Sequence, residues 1–299
     1  MQRVAIVTDS TACLTPELAE RYGIEIAPTE LAFEGKVYRD GIDPPGDFYA
    51  LLRNARKPPT TSAPSPGRFL EAYARAARRA EAVLCITLPV ELSSTHNVSK
   101  QAITLAEEDL PGARIMSVAA PAVASGQGLV AIEAALAAKE GRTLEEMAAY
   151  VEGLAPKIHF FAALDTLEYL AKGGHVPKAA AWLGDLIGFK PILTAYYGRV
   201  DRLSQARTKK NAMNKMLALM GRRNPDRAPI RAIVMHADAL QEAEEFAAQI
   251  KRRFTCRDML ITQFTPVMGA HSGPGVVGVA FRCLEQDGSA AKPPAMAAR

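Results

Sequence analysis

The sequence predicts an α/β fold with two α/β domains, the N-terminal one a mostly parallel sheet flanked by helices and the C-terminal one a mixed sheet with helices. Short β-branched runs alternate with longer amphipathic runs through the first half, which is typical of parallel strands joined by helices. The turn Tyr197-Gly198 separates two short runs of the second half, as in a β-hairpin. The length of 299 residues, 48% of them hydrophobic, suits one large domain or two ordinary ones.

The first half begins with a short apolar run, residues 4–7, that predicts a buried strand. A helix follows, because Thr15 is a suitable N-cap, Pro16 suits the first helical position and Gly23 ends the amphipathic pattern. The same kinds of pattern predict strands at 24–28, 83–88 and 114–118, and helices at 47–53, from 65 onward, and at 95–107, 126–138 and 144–154.

The second half follows Pro156, where we place the domain boundary, so that the predicted domains are 1–156 and 157–287. Residues 288–299 have the composition of a disordered tail. The patterns of the second domain predict helices at 164–170, 178–187, 208–220 and 240–253, a hairpin within 191–200, and strands at 230–235, 260–264 and 278–281.

The cysteines and the missing motifs exclude several classes of protein. Cys13, Cys85, Cys256 and Cys283 are far apart and form no Cys-x-x-Cys pair, which predicts reduced thiols of a cytoplasmic protein and neither a disulfide framework nor a structural zinc site. The N-terminus enters the first strand without an apolar leader. The five histidines have no metal-ligand spacing, and no nucleotide-binding glycine loop is found, so we expect neither a metal nor a cofactor.

Three hydroxyl-rich clusters, at residues 8–11, 60–62 and 93–95, lie next to predicted strands and helices. In an open parallel sheet, ligands bind beyond the carboxyl ends of the strands, where helix N-termini present free N–H groups. Hydroxyls at that edge suit a small anionic head group such as a carboxylate or a phosphate. Helix capping is the better explanation of any single cluster, whereas for the three together capping and a shared anion site are equal alternatives.

A fourth candidate is His271, in the Gly/Pro-rich stretch 268–275 between two apolar runs. This composition predicts a tight loop at a strand end. A neutral histidine donates a hydrogen bond to a carboxylate, and a protonated one pairs with it. The alternative is a turn in which the histidine has no role.

The net charge of +4 comes from the second half, which has 21 Lys and Arg against 13 Asp and Glu, and the excess lies within residues 199–231. A solvated helix face is the ordinary explanation of such a basic segment. A phosphate, an acidic partner or an anionic membrane surface is the functional alternative. Nucleic acid is not expected as a partner, since no aromatic residues interleave with these charges.

Seven motifs follow one another at 7–11, 61–66, 92–95, 165–174, 190–193, 207–210 and 271–275. They include Thr61-Ser62-Ala63-Pro64, Leu92-Ser93-Ser94-Thr95 and His271-Ser272-Gly273-Pro274-Gly275. In this order, and over nearly the whole chain, the sequence resembles the DegV family of bacterial fatty-acid-binding proteins, which are related to the FakB subunits of fatty acid kinase.

This resemblance implies two α/β domains with one long-chain fatty acid in a buried tunnel between them. In the family, a Thr, a Ser and a His of three motifs hold the carboxylate, and the matching residues here are Thr61, Ser93 and His271. The family role is not enzymatic, because the carrier presents the acid to a separate ATP-dependent kinase subunit that makes the acyl phosphate. Further candidates for head-group contact are Ser62, Ser94 and Thr95, and candidates for contact with the kinase or a phosphate are Arg207 and His175.

Three positions depart from the family pattern. Ser94 replaces the usual glycine after the binding serine, His175 replaces an arginine after Lys-Gly-Gly, and Ala119-Ala120 replaces Asp-Ser. None of these changes removes a predicted carboxylate ligand. They affect the expected coupling to the kinase more than the expected binding of the acid.

An acyl chain needs an apolar tunnel, in which each buried methylene contributes roughly 0.8 kcal/mol. The residues predicted to line it are Leu129, Ile132, Phe160, Phe161, Leu164, Leu167, Leu183, Leu186, Ile187 and Ile192.

Two other functions are compatible with the residues. A Ser/His acyl hydrolase would use Ser93 and His271, although the sequence has neither a Gly-x-Ser-x-Gly nucleophile elbow nor an evident third catalytic residue. A binding module for another anionic metabolite would use the same head-group residues. The sequence specifies neither the length and saturation of the acyl chain nor the oligomeric state.

Overall fold

Two large β-sheets and one small one organise the part of the chain that the computed structural model describes, residues 2–183 and 188–284. The strands are β1 (Gln2–Asp9), β2 (Ile24–Ala27), β3 (Glu30–Phe33), β4 (Lys36–Arg39), β5 (Thr60–Ser62), β6 (Ala80–Thr87), β7 (Arg114–Ala119), β8 (His159–Ala163), β9 (Lys190–Tyr196), β10 (Arg199–Ala206), β11 (Ile230–His236), β12 (Cys256–Gln263) and β13 (Val277–Cys283). A parallel sheet has the order β2-β1-β6-β7, a mixed sheet the order β10-β9-β8-β13-β11-β12, and a small antiparallel sheet the order β4-β3-β5. The predicted fold class is confirmed.

Helices pack against both large sheets. They are α1 (Pro16–Tyr22), α2 (Phe48–Asn54), α3 (Pro66–Ala77), α4 (Thr95–Asp109), α5 (Ser125–Ala138), α6 (Leu144–Gly153), α7 (Glu168–Gly173), α8 (Lys178–Leu183), α9 (Lys209–Arg223), α10 (Leu240–Arg253) and α11 (Pro266–Ser272). Helix α5 contacts β1 of the parallel sheet and both β11 and β13 of the mixed sheet, and nearly all of its residues are buried. It therefore joins the two large sheets through the centre of the molecule.

Strand β1 is buried on both faces, as expected for a central strand of a parallel sheet covered by helices. Val4 and Ile6 belong to the large core cluster shared with α5, whereas Ala5 and Val7 pack on the other face against α3. The apolar run that predicted the strand has no alternation for this reason.

Local end signals place several helices correctly. Thr15 accepts a hydrogen bond from the Leu18 N–H at the start of α1, and Gly23 ends this helix with a φ of +67°. Asp47 caps α2 and Thr208 caps α9 in the same way. These helices begin and end within a few residues of the predicted positions.

The small antiparallel sheet was not predicted from the sequence. Its strands have only three or four residues, and β3 buries just Leu31 and Phe33. The one local signal is the two-residue turn Glu34-Gly35 between β3 and β4, where both residues have positive φ, as in a tight hairpin.

Three expectations for the second half were wrong. Strand β8 was missed, and α7 begins at Glu168 instead of 164. Residues 266–272 form helix α11 instead of a loop, because Pro266 follows the N-cap Thr265 and suits the first helical position, and Gly273 ends the helix at a φ of +73°.

The boundary predicted at Pro156 lies between α6 and β8, and the division into domains 1–156 and 157–287 remains a prediction. Part of the predicted helix 178–187 and the predicted tail 288–299 lie outside the described residues. The four cysteines are free. Within 2–183 and 188–284, we find no helix whose length and apolar character would let it span a membrane.

Candidate functional site

A cavity of about 380 Å³ lies between the parallel sheet and the mixed sheet. Its walls are mainly apolar side chains from both halves of the chain, and its polar groups are mostly hydroxyls and two imidazoles. Six of the seven motifs contribute residues to the lining, and the motif at 207–210 does not. The lining comprises Thr11, Thr29, Thr61, Ser62, Ala63, Leu88, Leu92, Ser93, Ser94, Thr95, Val123, Ala124, Phe160, Ala162, Leu164, Leu170, His175, Val176, Leu193, Ala195, Val200, Phe264, Val267, Met268, His271, Ser272 and Val276.

The alternation of β8 decides which apolar side chains reach the cavity. Phe160 and Ala162 line it, whereas Phe161 and Ala163 point to the opposite face of the sheet and pack in the second core cluster, beneath α9 and α10.

Only Phe160 and Leu164 of the predicted tunnel residues are therefore confirmed as cavity lining. The other predicted tunnel residues of the described chain lie elsewhere. Core residues away from the cavity are Phe161, Leu167, Ile192, Leu129 and Ile132, and half-buried Leu183 lines a separate pocket. Leu186 and Ile187 lie outside the described residues.

Thr61 and His271 meet at one wall of the cavity. Thr61 is the middle residue of β5, His271 lies in the last turn of α11, and Thr61 Oγ1 and His271 Nε2 share a hydrogen bond of 2.9 Å. Two residues separated by 210 positions in the sequence thus form one polar group, as the motif match implied.

The environment of His271 favours the neutral imidazole. Burial lowers the pKa of His271 to about 4, and the nearby His175 acts in the same direction. The ring of His175 stands perpendicular to that of His271, with 4.7 Å between the ring centroids. The backbone of Gly173 also packs against His271, since a Cβ at this glycine would lie 2.5 Å from Nδ1.

We expect the His271 imidazole of lipid-free protein to remain neutral until the pH falls to about 4, because protonation would place a charge in a buried site. Between about pH 6.5 and pH 4 the unfolded chain then binds more protons at this residue than the folded chain, so this histidine lowers the free energy of unfolding as the pH falls. NMR titration of the ring signals measures this directly, with His271→Ala to assign them. A midpoint at or above the ordinary histidine value would contradict the expectation.

Ser93 and its neighbours form a second polar group on the cavity wall. The Ser93 and Thr95 hydroxyls share a hydrogen bond of 2.8 Å, and Ser93 Oγ accepts a second one of 3.2 Å from the Thr95 N–H. Thr95 is buried, while Ser94, the N-cap of α4, is exposed. On the Thr61 side, exposed Ser62 donates to Glu30 Oε2 over 3.4 Å. All of these hydroxyls also line the cavity.

The geometry gives no support to the hydrolase alternative. The bonded partner of His271 Nε2 is Thr61, and that of the Ser93 hydroxyl is Thr95. Across residues 2–183 and 188–284, we find neither a Ser93–His271 hydrogen bond nor a carboxylate bonded to the His271 ring. A serine nucleophile needs such a base, itself oriented by a third group.

His175 and Arg207, the predicted kinase contacts, lie in different surroundings. His175 is exposed but lines the cavity beside His271. Arg207 is exposed outside the cavity, with its guanidinium 5.7 Å from the centre of the Phe189 ring. His175 is therefore part of the cavity wall, whereas Arg207 lies on the surface outside the cavity.

The basic segment 199–231 does not form one continuous surface. Arg231 is mostly buried and paired with Glu133 and Asp258, and Lys209 pairs with Asp165. Helix α9 spans 15 residues, about 22 Å at 1.5 Å per residue, and separates the cations at its start from those at its end.

Two further threonines, Thr11 and Thr29, lie in the cavity wall, and Thr29 was not predicted as a site residue. Thr11 lies in the first hydroxyl cluster, where its hydroxyl bonds Asp9 and Gln127, and Thr29 bonds Ser10. The Thr11 hydroxyl donates its proton to the Asp9 carboxylate and the Thr29 hydroxyl donates to the Asp40 carboxylate, so neither has a proton left for a ligand. Among the described residues, no group of three or more His, Cys, Asp or Glu side chains could hold a metal ion.

Comparisons with known proteins agree on one family. Residues 3–283 match the family model "Uncharacterised protein, DegV family COG1307". A DegV domain-containing protein of Streptomyces coelicolor is 32% identical over 280 residues, which cover 93% of this chain and 98% of the relative. A similar protein of Halalkalibacterium halodurans is 30% identical over 283 residues, covering 94% and 99%.

Solved structures are similar over the same length. A DegV family protein from Thermus thermophilus, described for its fatty acid binding, has a TM-score of 0.86 and 30% identity over 94% of this chain and 100% of its own. DegV from Bacillus subtilis, described as a fatty acid binding protein, has a TM-score of 0.83 and 26% identity over 95% of this chain and 100% of its own.

Proposed function

The chain belongs to the DegV family, and from that premise we propose that it binds one long-chain fatty acid in the cavity and presents the carboxylate to a separate ATP-dependent kinase, which converts it to acyl phosphate. The observation that carries the proposal is the contact between Thr61 and His271 at one wall of a cavity lined mainly by apolar side chains. In this role the protein is a lipid carrier without catalytic residues of its own.

The walls suit an acyl chain. The acid's methylenes would lie among side chains such as Phe160, Leu193 and Val276, and each one removed from water contributes roughly 0.8 kcal/mol. The long hydrocarbon tail thus supplies most of the affinity, and the polar residues determine where the head group lies.

The head-group residues are neutral donors. A carboxylate that leaves water needs several hydrogen bonds. The bonded pair of Thr61 and neutral His271 keeps one proton free to donate, and the Ser93 hydroxyl would supply another. None of the three adds a permanent positive charge. This favours release of the phosphorylated product, because a buried arginine would hold the acyl phosphate more tightly.

The position of the polar residues supports presentation to a partner. Ser62, Ser94 and His175 line the cavity and are also exposed, so the polar wall reaches the surface. We assign the contact with the kinase to this surface and to Arg207, and a transient contact with an anionic membrane to the exposed cations near the start of α9. We place the protein in the bacterial cytoplasm, where its free cysteines stay reduced.

The decisive experiment is native mass spectrometry of protein purified from cells, followed by extraction of the ligand. We expect one fatty acid per chain, and the loaded protein should yield acyl phosphate when a fatty acid kinase and ATP are added. Protein that carries no fatty acid and takes up none from solution would contradict the carrier function. Fatty acid without acyl phosphate would contradict only the kinase step.

The double substitution Thr61→Ala with Ser93→Ala should weaken binding of a labelled fatty acid by at least about a hundredfold, since two hydrogen bonds to a charged group are lost, at about 1.5–3 kcal/mol each. Circular dichroism and thermal melting should remain close to those of the wild type, because both side chains lie on the wall of a cavity. Thr208→Ala, which removes a distant hydroxyl at the start of α9, is the matched control for binding. Wild-type affinity in the folded double variant would exclude these residues from the site.

A further inference from the structure

The small antiparallel sheet holds α11 at two points one helical turn apart. At the C-terminal end of the helix, Thr61 of β5 bonds His271. At the N-terminal end, Asp40, which directly follows β4, accepts a hydrogen bond of 3.0 Å from the Val267 N–H. Val267 and His271 are four positions apart, so they lie on the same face of the helix.

Both contacts come from the same sheet through its central strand. Thr61 pairs with Leu31 of β3, and the Asp40 N–H donates to the carbonyl of Thr29, just before β3. The distance between the two anchoring points is therefore set by the sheet, and the helix must match it. A shift of α11 along this sheet would move His271 away from Thr61.

Asp40 is suited to this contact. The residue is 1% exposed, and its second carboxylate oxygen accepts a hydrogen bond of 3.3 Å from Thr29 Oγ1. Burial raises the pKa of Asp40 to about 6, so the group is still a carboxylate with two acceptor oxygens at neutral pH. The N-cap residue of α11, Thr265, makes no side-chain capping bond, and Asp40 fills this role from another part of the chain.

A further contact to α11 comes from helix α2. Tyr49 of α2 donates a hydrogen bond of 2.9 Å to the Phe264 carbonyl, and its ring packs on Gly269, where a Cβ would lie 2.7 Å from the Tyr49 hydroxyl oxygen. Tyr49 therefore limits how closely α11 can approach α2, and Asp40 limits how far α11 can shift along the small sheet.

We propose that Asp40 is a positioning residue of the head-group site, which holds α11 at the height where His271 meets Thr61. Asp40 does not line the cavity and acts through the helix. The identity of the ligand rests on the proposed function, whereas the effect on His271 can be measured without any ligand.

The test combines two variants with a double-mutant cycle. Asp40→Ala should weaken fatty acid binding about tenfold, because the buried Val267 N–H loses its acceptor and α11 is released. In the His271→Ala background α11 no longer brings an imidazole to the head group, although Val267, Met268 and Ser272 still line the cavity. The same change should therefore alter affinity clearly less there, by about threefold at most. Asp40→Asn keeps an oxygen for the Val267 N–H and should bind within about threefold of the wild type.

Thr15→Ala is the control for loss of a cap, since Thr15 caps a helix of the same length, α1, and lies outside the cavity. It should leave binding unchanged. Ring signals of His271 in the lipid-free protein provide the second measurement, and Asp40→Ala should shift them toward those of Thr61→Ala.

Equal loss of affinity in the wild-type and His271→Ala backgrounds would overturn the proposal, as would wild-type His271 ring signals in Asp40→Ala. Should Asp40→Ala fail to fold, Asp40→Asn decides: weak binding and displaced ring signals in this folded variant would refute the hydrogen-bond mechanism. Failure of the wild type to bind fatty acid would count against the proposed function alone, because the ring signals still report the position of His271.

Discussion

Replacing Ala195 by phenylalanine is expected to lower sharply the fraction of purified protein that carries a fatty acid. Ala195 lies on β9, is 4% exposed, and contributes its methyl group to the cavity wall. A phenyl ring there would occupy space that the acyl chain needs. Displacement of about three methylenes, at roughly 0.8 kcal/mol each, corresponds to a loss of affinity on the order of fiftyfold.

The measurement is native mass spectrometry of the purified variant, followed by titration with a labelled fatty acid. Ala195→Gly, which leaves the space open, is the matched control and should purify with its ligand. Because the ring would fill an existing cavity, Ala195→Phe should fold with only a modest loss of stability, about 1–3 kcal/mol at most. Full occupancy of folded Ala195→Phe would show that the acyl chain lies elsewhere.

The fold class could be predicted because its signals are local. The run at residues 4–7 identifies a buried strand, and Thr15, Pro16 and Gly23 define a complete helix. Each signal depends on neighbours within one turn or one strand. The parallel order of the first sheet follows from the alternation of such elements along the chain.

The errors occur where tertiary contacts decide the structure. Phe160 and Phe161 are both buried, on opposite faces of β8, so the sequence shows no alternation there. Helix α11 contains a glycine, and its first turn is capped by Asp40, which follows β4 far away in the sequence. The glycine and proline content predicted a loop, whereas the stabilising acceptor lies 227 positions away.

Local sequence was also insufficient to predict how the site residues come together. Local sequence indicates that Thr61 and Ser93 are available as hydroxyls, but only the fold brings Thr61 against His271. The motif order of the family supplied that pairing in advance. It did not indicate that the ring of His175 would lie beside that of His271.

A different effect is expected in the second half of α5, where Glu133→Ala should lower the free energy of unfolding by about 3–5 kcal/mol. The Glu133 side chain is 5% exposed and pairs with Arg231, and it accepts a hydrogen bond of 2.8 Å from Arg282 Nη1 and one of 3.4 Å from the Tyr150 hydroxyl. It joins the central helix to β11 and β13. Its removal leaves two largely buried guanidinium groups without this carboxylate.

Urea denaturation of lipid-free protein measures the loss, and Glu145→Ala is the matched control. Glu145 also pairs with an arginine, Arg114, over 2.7 Å, but both side chains are more than 60% exposed, so breaking this pair should cost less than about 1 kcal/mol. Equal losses for the two variants would contradict the expected role of burial. Glu133 does not line the cavity, so folded Glu133→Ala should keep its affinity for the acid. A loss of stability without a loss of affinity would show that the Glu133 contacts between α5 and the mixed sheet stabilise the fold and take no part in ligand binding.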